Sequence, residues 1–387
     1  MKISIGHAVS GDEFFGRERE LSILAEILAD KRASVLIPGP RRIGKTSIVK
    51  EFIRRNKDTH NTVYFDLESR SSVIELCQDL IKVVQRTYPD FVRKKMDLTG
   101  AWNTMAKMLP ELKISGICEI KTGRIEPAAK EFIDRMEEVF EEMNKYDFIF
   151  AFDEFSDFLW KLKERSLEEV RFFLEWLRRL RQEGKIRLIV SGSINVISTV
   201  EELNVPDLIN DLADLEIFPL TEDEIQRFLG ELAGNMCIEL TDDGIDFAVA
   251  RLSDGIPFFI QLFASGLRSY REEGRKTFDA AAIKEIYYRI TGKQHKEFID
   301  LHSRLKDYLA PDEFQAARKI LAHLASDPMT FDDLRPYVEE SVADKDRLRQ
   351  LLKRLTDECY LTKEKGYFRF VSPMLADWWN NSYEWEK

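Results

Sequence analysis

The chain has 387 residues, 44% hydrophobic and 33% charged, with a formal net charge of −11 and a pI near 5.3. That length implies two or three domains, and core formation is not the difficulty. The composition excludes a disordered chain, and the acidic balance excludes a generic polyanion binder, so any nucleic-acid role needs a local basic patch.

Five short apolar runs occupy the first 220 residues: ASVLIP (33–38), TVYFDL (62–67), DFIFAFDE (147–154), IRLIVSGS (186–193) and LEIFPL (215–220). Each is near-continuously hydrophobic, as expected of parallel strands covered on both faces. Helical patterns separate them. TSIVKEFIRR follows the first run and VIELCQDLIKVVQRTY the second. SLEEVRFFLEWLRRLRQEG lies between the third and fourth and stops at Gly184. Alternation of strand and helix predicts a parallel α/β sheet. Residues 96–130 break the alternation, and KISGICEIKTGRIEP reads as a β-hairpin turning near Thr122-Gly123. Beyond residue 220 the strand signal ends. TEDEIQRFLGELAG, TDDGIDFAVARLSDG, PFFIQLFASGLRSYREEG and DAAAIKEIYYRI read as amphipathic helices. The last 80 or so residues give three more helices and then YLTKEKGYFRFVSP, a two-strand wing around Lys365-Gly366, the outline of a winged helix-turn-helix.

GPRRIGKT matches GxxxxGK(S/T) with a strand before it and a helix after it. The glycines let backbone N–H groups turn toward phosphate oxygens, and the helix adds its N-terminal partial charge. Lys45 is positioned for β- and γ-phosphates, and Thr46 for Mg²⁺. Arg41 and Arg42 either add phosphate contacts, face solvent, or meet an acidic partner. FIFAFDEF supplies the second half: Asp153 at a strand end for the metal, and Glu154 to orient and deprotonate the attacking water. LIVSGS ends the fourth strand, where Ser191 or Ser193 can sense the γ-phosphate or simply cap a helix. FFGRERE (14–20) and GIP (255–257) carry no unique mechanism on physical grounds alone.

Phe14-Phe15-Gly16-Arg17-Glu18, GPRRIGKTS, FAFDEF, SGS, PLTEDEIQRFL and DGIPFFI follow one another in an order that resembles the archaeal-type ATPases. These belong to the STAND class of P-loop NTPases, relatives of the AAA+ and origin-recognition ATPases. The resemblance spans nearly the whole chain. It implies an α/β P-loop NTPase core at 1–220, with an ASCE-type five-stranded parallel sheet, the fourth strand between first and third, and a hairpin insertion at 96–130. It further implies a helical lid at 221–305 and a winged helix at 306–387.

In that frame Gly39, Pro40, Arg41, Arg42, Ile43, Gly44, Lys45, Thr46 and Ser47 hold the phosphates of ATP or ADP. Phe14, Gly16 and Arg17 lie against base and ribose, and Pro257 packs on the adenine side. Lys45, Asp153, Glu154 and Ser193 carry catalysis, with Mg²⁺ on Thr46 and Asp153. STAND proteins are regarded as ATP/ADP switches, so a slow ATPase is expected, with a protein partner the sequence does not identify. The chain departs from many relatives in having INVIS, not an arginine, after SGS. A finger would come from Arg41, Arg42 or a neighbouring subunit.

Two alternatives stand beside the switch: an ATP-regulated DNA-binding protein resembling replication initiators, and a scaffold with negligible hydrolysis. Residues 311–387 hold twelve Lys or Arg against fifteen Asp or Glu. Yet Lys345, Arg347, Arg349, Lys353 and Arg354 share one helix, and Lys363, Lys365 and Arg369 the wing. That is a basic DNA-binding face or a solvated one. Cys77, Cys118, Cys237 and Cys359 form no CxxC pair, and His295 and His302 lack a partner ligand. MKISIGHAVSGDEF has no apolar h-region, and no apolar run reaches membrane-helix length. The expectation is a cytoplasmic chain without membrane contact.

Overall fold

A computed structural model describes residues 3, 5–96, 127–192, 196–292, 295–342 and 344–383. The hairpin expected near Thr122-Gly123, and Ser193, lie outside them. The chain gathers into two units. The first is Arg17–Gly39 with Lys45–Ile217; the second is Met1–Gly16, Pro40–Gly44 and Phe218–Lys387.

The first unit runs α1 (Glu18–Ala29), β1 (Val35–Ile37), α2 (Lys45–Arg55), β2 (Asn61–Asp66), α3 (Val73–Thr87), α4 (Pro127–Asn144), β3 (Phe148–Asp153), α5 (Phe155–Arg165), α6 (Leu167–Gln182), β4 (Leu188–Ser191), α7 (Val196–Glu202) and β5 (Ala213–Asp214). The sheet has five strands in the order β2-β3-β4-β1-β5, all parallel. The fourth strand therefore lies between the first and third, as the resemblance implied. Every residue of β1, β3 and β4 is buried, which is why these runs carry no polar alternation. Register aligns their carboxyl ends. Ile37 pairs with Ser191 and Val190 with Phe152, so Ser191 arrives beside Asp153.

Three expectations need correction. The fifth strand pairs at Ala213–Asp214, ahead of the predicted 215–220. Leu215 still donates to Leu36 O at 2.8 Å, but β1 is only three residues long and offers no further partner. Two helices, α5 and α6, join β3 to β4 where one was predicted. Ser166 starts the second by accepting from Glu168 and Glu169 N–H, and Gly184, at φ +68, ends it as predicted. Residues 127–130 of the expected insertion form the first turn of α4.

The second unit adds α8 (Glu222–Met236), β6 (Glu239–Leu240), α9 (Asp242–Arg251), α10 (Pro257–Glu272), β7 (Thr277–Phe278), α11 (Ala280–Ile290), α12 (Lys296–Tyr308), α13 (Pro311–Leu324), β8 (Met329–Thr330), α14 (Phe331–Val338), α15 (Lys345–Asp357), β9 (Leu361–Glu364), β10 (Tyr367–Phe370) and α16 (Pro373–Tyr383). Thr221 and Glu224 make a reciprocal capping box at α8. β6 and β7 form a two-residue parallel pair, too short to leave a period in the sequence. The wing hairpin β9–β10 gains a third antiparallel strand, β8. The boundary expected at 305/306 falls inside α12. Trp378 and Trp379 of α16 are buried, and Trp378 stacks on Phe298 of α12 at 5.3 Å.

The Gly-Ile-Pro turn acquires a reason here. Gly255 sits at φ +63, and a Cβ there would fall 2.1 Å from Leu220 O, so neither the conformation nor the space admits a side chain. Pro257 then opens α10 at its first position, where its missing N–H costs nothing. Beside the turn, Asp254 Oδ1 accepts from Ile256 N–H at 2.8 Å. Burial pushes the Asp254 carboxyl up to about 7, the Ser372 hydroxyl and then the Ile256 N–H only partly opposing it.

A raised carboxyl pKa favours the folded state when protonated. Its contribution is complete below the unfolded value near 4 and is lost as pH rises through about 7. Asp254→Asn keeps the accepting oxygen and removes the charge. Its stability relative to wild type should rise between pH 4 and 7, by about 4 kcal/mol at most, and level off above. Urea unfolding of both proteins across that range measures this, and a pH-independent difference contradicts it.

Candidate functional site

The loop between β1 and α2 has the conformation its glycines require. Gly39 lies at φ +135 and Gly44 at φ +106, a region L side chains rarely enter. Lys45 opens α2, is 6% exposed, and its Nζ donates back to Gly39 O at 2.8 Å, closing the loop on itself. Behind it, the first N–H groups of α2 have no intrahelical acceptor and point out of the helix start. Ile43 is buried, and Pro40 and Ser47 are half-buried.

Asp153 is the centre of the first unit's polar cluster. Thr46 Oγ1 donates to its Oδ2 at 2.7 Å and Tyr64 OH to the same oxygen at 2.9 Å. Ser191 Oγ donates to Oδ1 at 2.6 Å, and the N–H of Glu154 to Oδ1 at 3.1 Å. With Asp153 only 4% exposed, these donors fix the carboxylate in one orientation. Burial, and then the Asp153 charge, drive the Tyr64 hydroxyl far above its ordinary value, so it stays a donor. Glu154 is half-buried and holds φ +56, a left-handed backbone in a non-glycine residue directly before α5. Such strain gathers at functional sites.

Thr46 and Asp153 present hard oxygens of the kind Mg²⁺ takes. Among the described residues there is no group of three or more His, Cys, Asp or Glu able to hold a metal. Mg²⁺ characteristically binds through one or two carboxylates plus substrate phosphates, so this donor set fits it.

Ser191 is 1% exposed, and its hydroxyl is turned to Asp153. Arg17 is buried, at φ +65, and pairs with Glu20 at 3.0 Å. In the second unit, Phe14 N–H closes a turn on Gly11 O, Gly16 lies at φ +65, and Phe15 meets Phe228 edge-on at 5.3 Å. A Cβ on Gly44 would meet Pro257 Cγ at 4.0 Å, so the proline borders the phosphate loop. Arg41 Nε lies 3.0 Å from Glu358 Oε2, an ion pair in which that nitrogen does not reach hydrogen-bond geometry. Arg42 lays its guanidinium over the Phe258 ring at 3.8 Å.

The basic residues of the last helices separate into two sets. Arg347 pairs with Asp312 at 2.8 Å and Arg354 with Glu313 at 3.2 Å, both acids on α13. Lys345, Arg349 and Lys353, four apart along α15, line a groove of about 570 Å³ with Lys363 of β9 and the acids Asp332 and Asp357, and Arg349 pairs with Asp346 at 2.6 Å. Phe331 and Phe368 line it too, and Arg349 lies 5.4 Å from the Phe331 ring centre. Tyr64, Glu358 and Phe258 were missed from sequence. Tyr64 and Glu358 belong to no spaced motif, Phe258 lies within DGIPFFI without a role assigned to it, and each reaches its partner only through the fold.

A family profile described as an ATPase domain predominantly from Archaea matches residues 14–263. An 88-residue stretch is 33% identical to an uncharacterized ATP-binding protein, MJ1659, of Methanocaldococcus jannaschii, covering 22% of this chain. The chain spans about a quarter of that relative's length. The Walker-type ATPase PABY2304 of Pyrococcus abyssi superposes with a TM-score of 0.63 at 19% identity, over 96% of this chain and 97% of its own. The Aeropyrum pernix ORC2 protein, solved with ADPNP and ADP, gives 0.55 at 15% identity, over 97% and 95%. At these identities the two structures show a shared fold. No helix among the described residues is long and apolar enough to cross a membrane.

Because Asp153 is buried and satisfied by neutral donors, removing one donor leaves a charge short of partners. Tyr64→Phe and Ser191→Ala should each lower stability by about 1.5–3 kcal/mol in urea unfolding. A change below about 0.5 kcal/mol in both contradicts the hub assignment.

Proposed function

The chain belongs to the family of ATPase domains found predominantly in Archaea, and on that footing we propose that it is a Mg²⁺-dependent ATP hydrolase of slow turnover. We take it to work as a nucleotide-controlled switch of the STAND kind. The observation that carries this reading is the Thr46–Asp153 hydrogen bond of 2.7 Å, which joins the phosphate loop to the strand-end acid in one oriented pair.

Each residue then has a task. Lys45 leaves Gly39 O for the β- and γ-phosphates, and the loop and helix N–H groups bind the remaining oxygens. Thr46 and Asp153 hold Mg²⁺, which neutralises charge developing on the transferred phosphoryl group. Tyr64 and Ser191 keep the Asp153 carboxylate aimed. Glu154, next in sequence, accepts the proton of the attacking water, and its left-handed backbone directs it away from the strand line. Phe14, Gly16, Arg17 and Pro257 are assigned to the nucleoside side by resemblance, and Ser193 to the γ-phosphate. Residues 306–387 are read as the winged helix, whose described part from Pro311 to Tyr383 holds four helices and a three-stranded antiparallel sheet.

Lys45→Ala should lose ATP affinity by about tenfold or more, as a charged phosphate contact is removed. Glu154→Gln should bind ATP normally and hydrolyse it about 10²-fold or more slowly. Binding titrations and phosphate release measure the two effects. Wild type that neither binds nor cleaves ATP removes the reading, and normal hydrolysis by Glu154→Gln removes the base assignment.

A second reading, ATP-regulated DNA binding, is favoured by the convergence of Lys345, Arg349, Lys353 and Lys363 on one groove with two aromatic rings, where four cations outnumber the two acids Asp332 and Asp357. Arg347 and Arg354 pair with acids of α13 and do not line the groove. Replacing the four groove cations by Ala should abolish salt-dependent duplex binding, while Arg347→Ala leaves it within about twofold. Equal losses from both changes, or no duplex binding by wild type at low salt, contradict this reading.

A further inference from the structure

Arg41 and Arg42 stand inside the phosphate loop, yet both side chains are engaged by the second unit. Arg41 and Glu358 meet at 3.0 Å with side chains 10% and 14% exposed, so the pair is poorly screened by salt. The carboxylate is placed by backbone geometry. Glu358 N–H donates to Arg354 O at 2.9 Å and Cys359 N–H to Thr356 O at 3.0 Å, with Cys359 left-handed at φ +64. That turn ends α15 and leads directly into β9. Its next residue, Tyr360, is buried and donates to Leu301 O at 2.5 Å. Arg42 also holds φ +69, stacks on Phe258, and has its Nη1 buried with no hydrogen-bond partner among the described residues. Arg304 and Arg41 are near enough to disfavour its charge, while burial, the larger effect, lowers the guanidinium to about 10. Arg41, which meets Glu358, and Arg304 thus both act on Arg42.

An arginine in a phosphate loop is an obvious partner for the nucleotide, but here a carboxylate from the far end of the chain holds it. We propose that Glu358 is an internal competitor for the phosphates: by pairing with Arg41 it keeps the loop in a low-affinity state, and phosphate binding breaks the pair. The inference rests on the ATPase reading above. Coupling of this kind is reciprocal, so whatever the pair costs the nucleotide, the nucleotide costs the pair. The turn at 358–360 is then the element that responds. Phosphate binding loosens it, and β9 with its groove residue Lys363 follows immediately in the chain.

The test is equilibrium binding of a fluorescent ADP, with Mg²⁺, to the full chain and to Glu358→Gln, Glu358→Asp, Arg41→Gln and Arg41→Gln/Glu358→Gln. Glu358→Gln should bind about five- to fiftyfold more tightly, the range of ordinary intramolecular coupling. Glu358→Asp keeps the charge and the polar surface but shortens the reach, so it should also tighten binding, and it carries the test if the first variant misfolds. In the Arg41→Gln background the gain from Glu358→Gln should vanish. Amide exchange across residues 354–364 should quicken in wild type on adding ADP, and should already be fast in Glu358→Gln without it.

Unchanged or weaker binding by both Glu358 variants overturns the proposal, and the ATPase reading stands. A gain of equal size with and without Arg41 overturns it too, since it would then be charge repulsion alone. Absence of binding in wild type and every variant overturns both.

Discussion

A carboxylate buried at the end of a central strand has to be satisfied, and the donors that satisfy it dictate much of what surrounds them. Asp153 draws Thr46 from the helix after the phosphate loop, Tyr64 from one neighbouring strand and Ser191 from the other. The parallel order β2-β3-β4-β1 is what brings these groups to one edge. In an arrangement where β4 did not lie between β1 and β3, Ser191 would reach no carboxylate. The apolar run of its own strand, with Phe148, Phe150 and Phe152 all buried, excludes water and makes the orientation of that carboxylate a matter of structure.

The loop divides its allegiance. Gly39 and Lys45 belong to the first unit, while Pro40 to Gly44 between them belong to the second. Two arginines placed inside the loop have their charges met there by Glu358 and by the face of Phe258. That engagement is what the proposed switch would act through, and the missing arginine after the fourth strand directs attention to the same pair.

Legibility in the sequence followed the range of the interactions. The loop, the strand before it and the helix after it are contiguous, and the glycine spacing announced them because backbone conformation demands glycine there. The sheet was readable because strands covered on both faces lose their polar alternation. The capping box at Thr221 and the stop at Gly184 are equally local. Asp153 was named from its strand, but its partner Tyr64 was not, since nothing in TVYFDL distinguishes a tyrosine aimed at a carboxylate from one filling a core. Glu358 was invisible for a sharper reason: it lies more than 300 residues from Arg41, in a segment rich in both charges. The predicted fifth strand overran because hydrophobicity continued past the point where β1 had partners to offer. The basic helix read as one face, and only the fold separates Arg347 and Arg354, held by the acids of α13, from the residues that line the groove.

The central claim is that the oriented Thr46–Asp153 pair makes this phosphate loop a metal-dependent site of ATP cleavage. The most direct measurement is a single turnover: ATP labelled at the γ-phosphate, mixed with excess protein, with Mg²⁺ present in one arm and chelated in the other. The account predicts release of labelled phosphate in one slow exponential phase with Mg²⁺ and none above background with the chelator. Equal release in the two arms, or none in either while ATP remains bound, would contradict it.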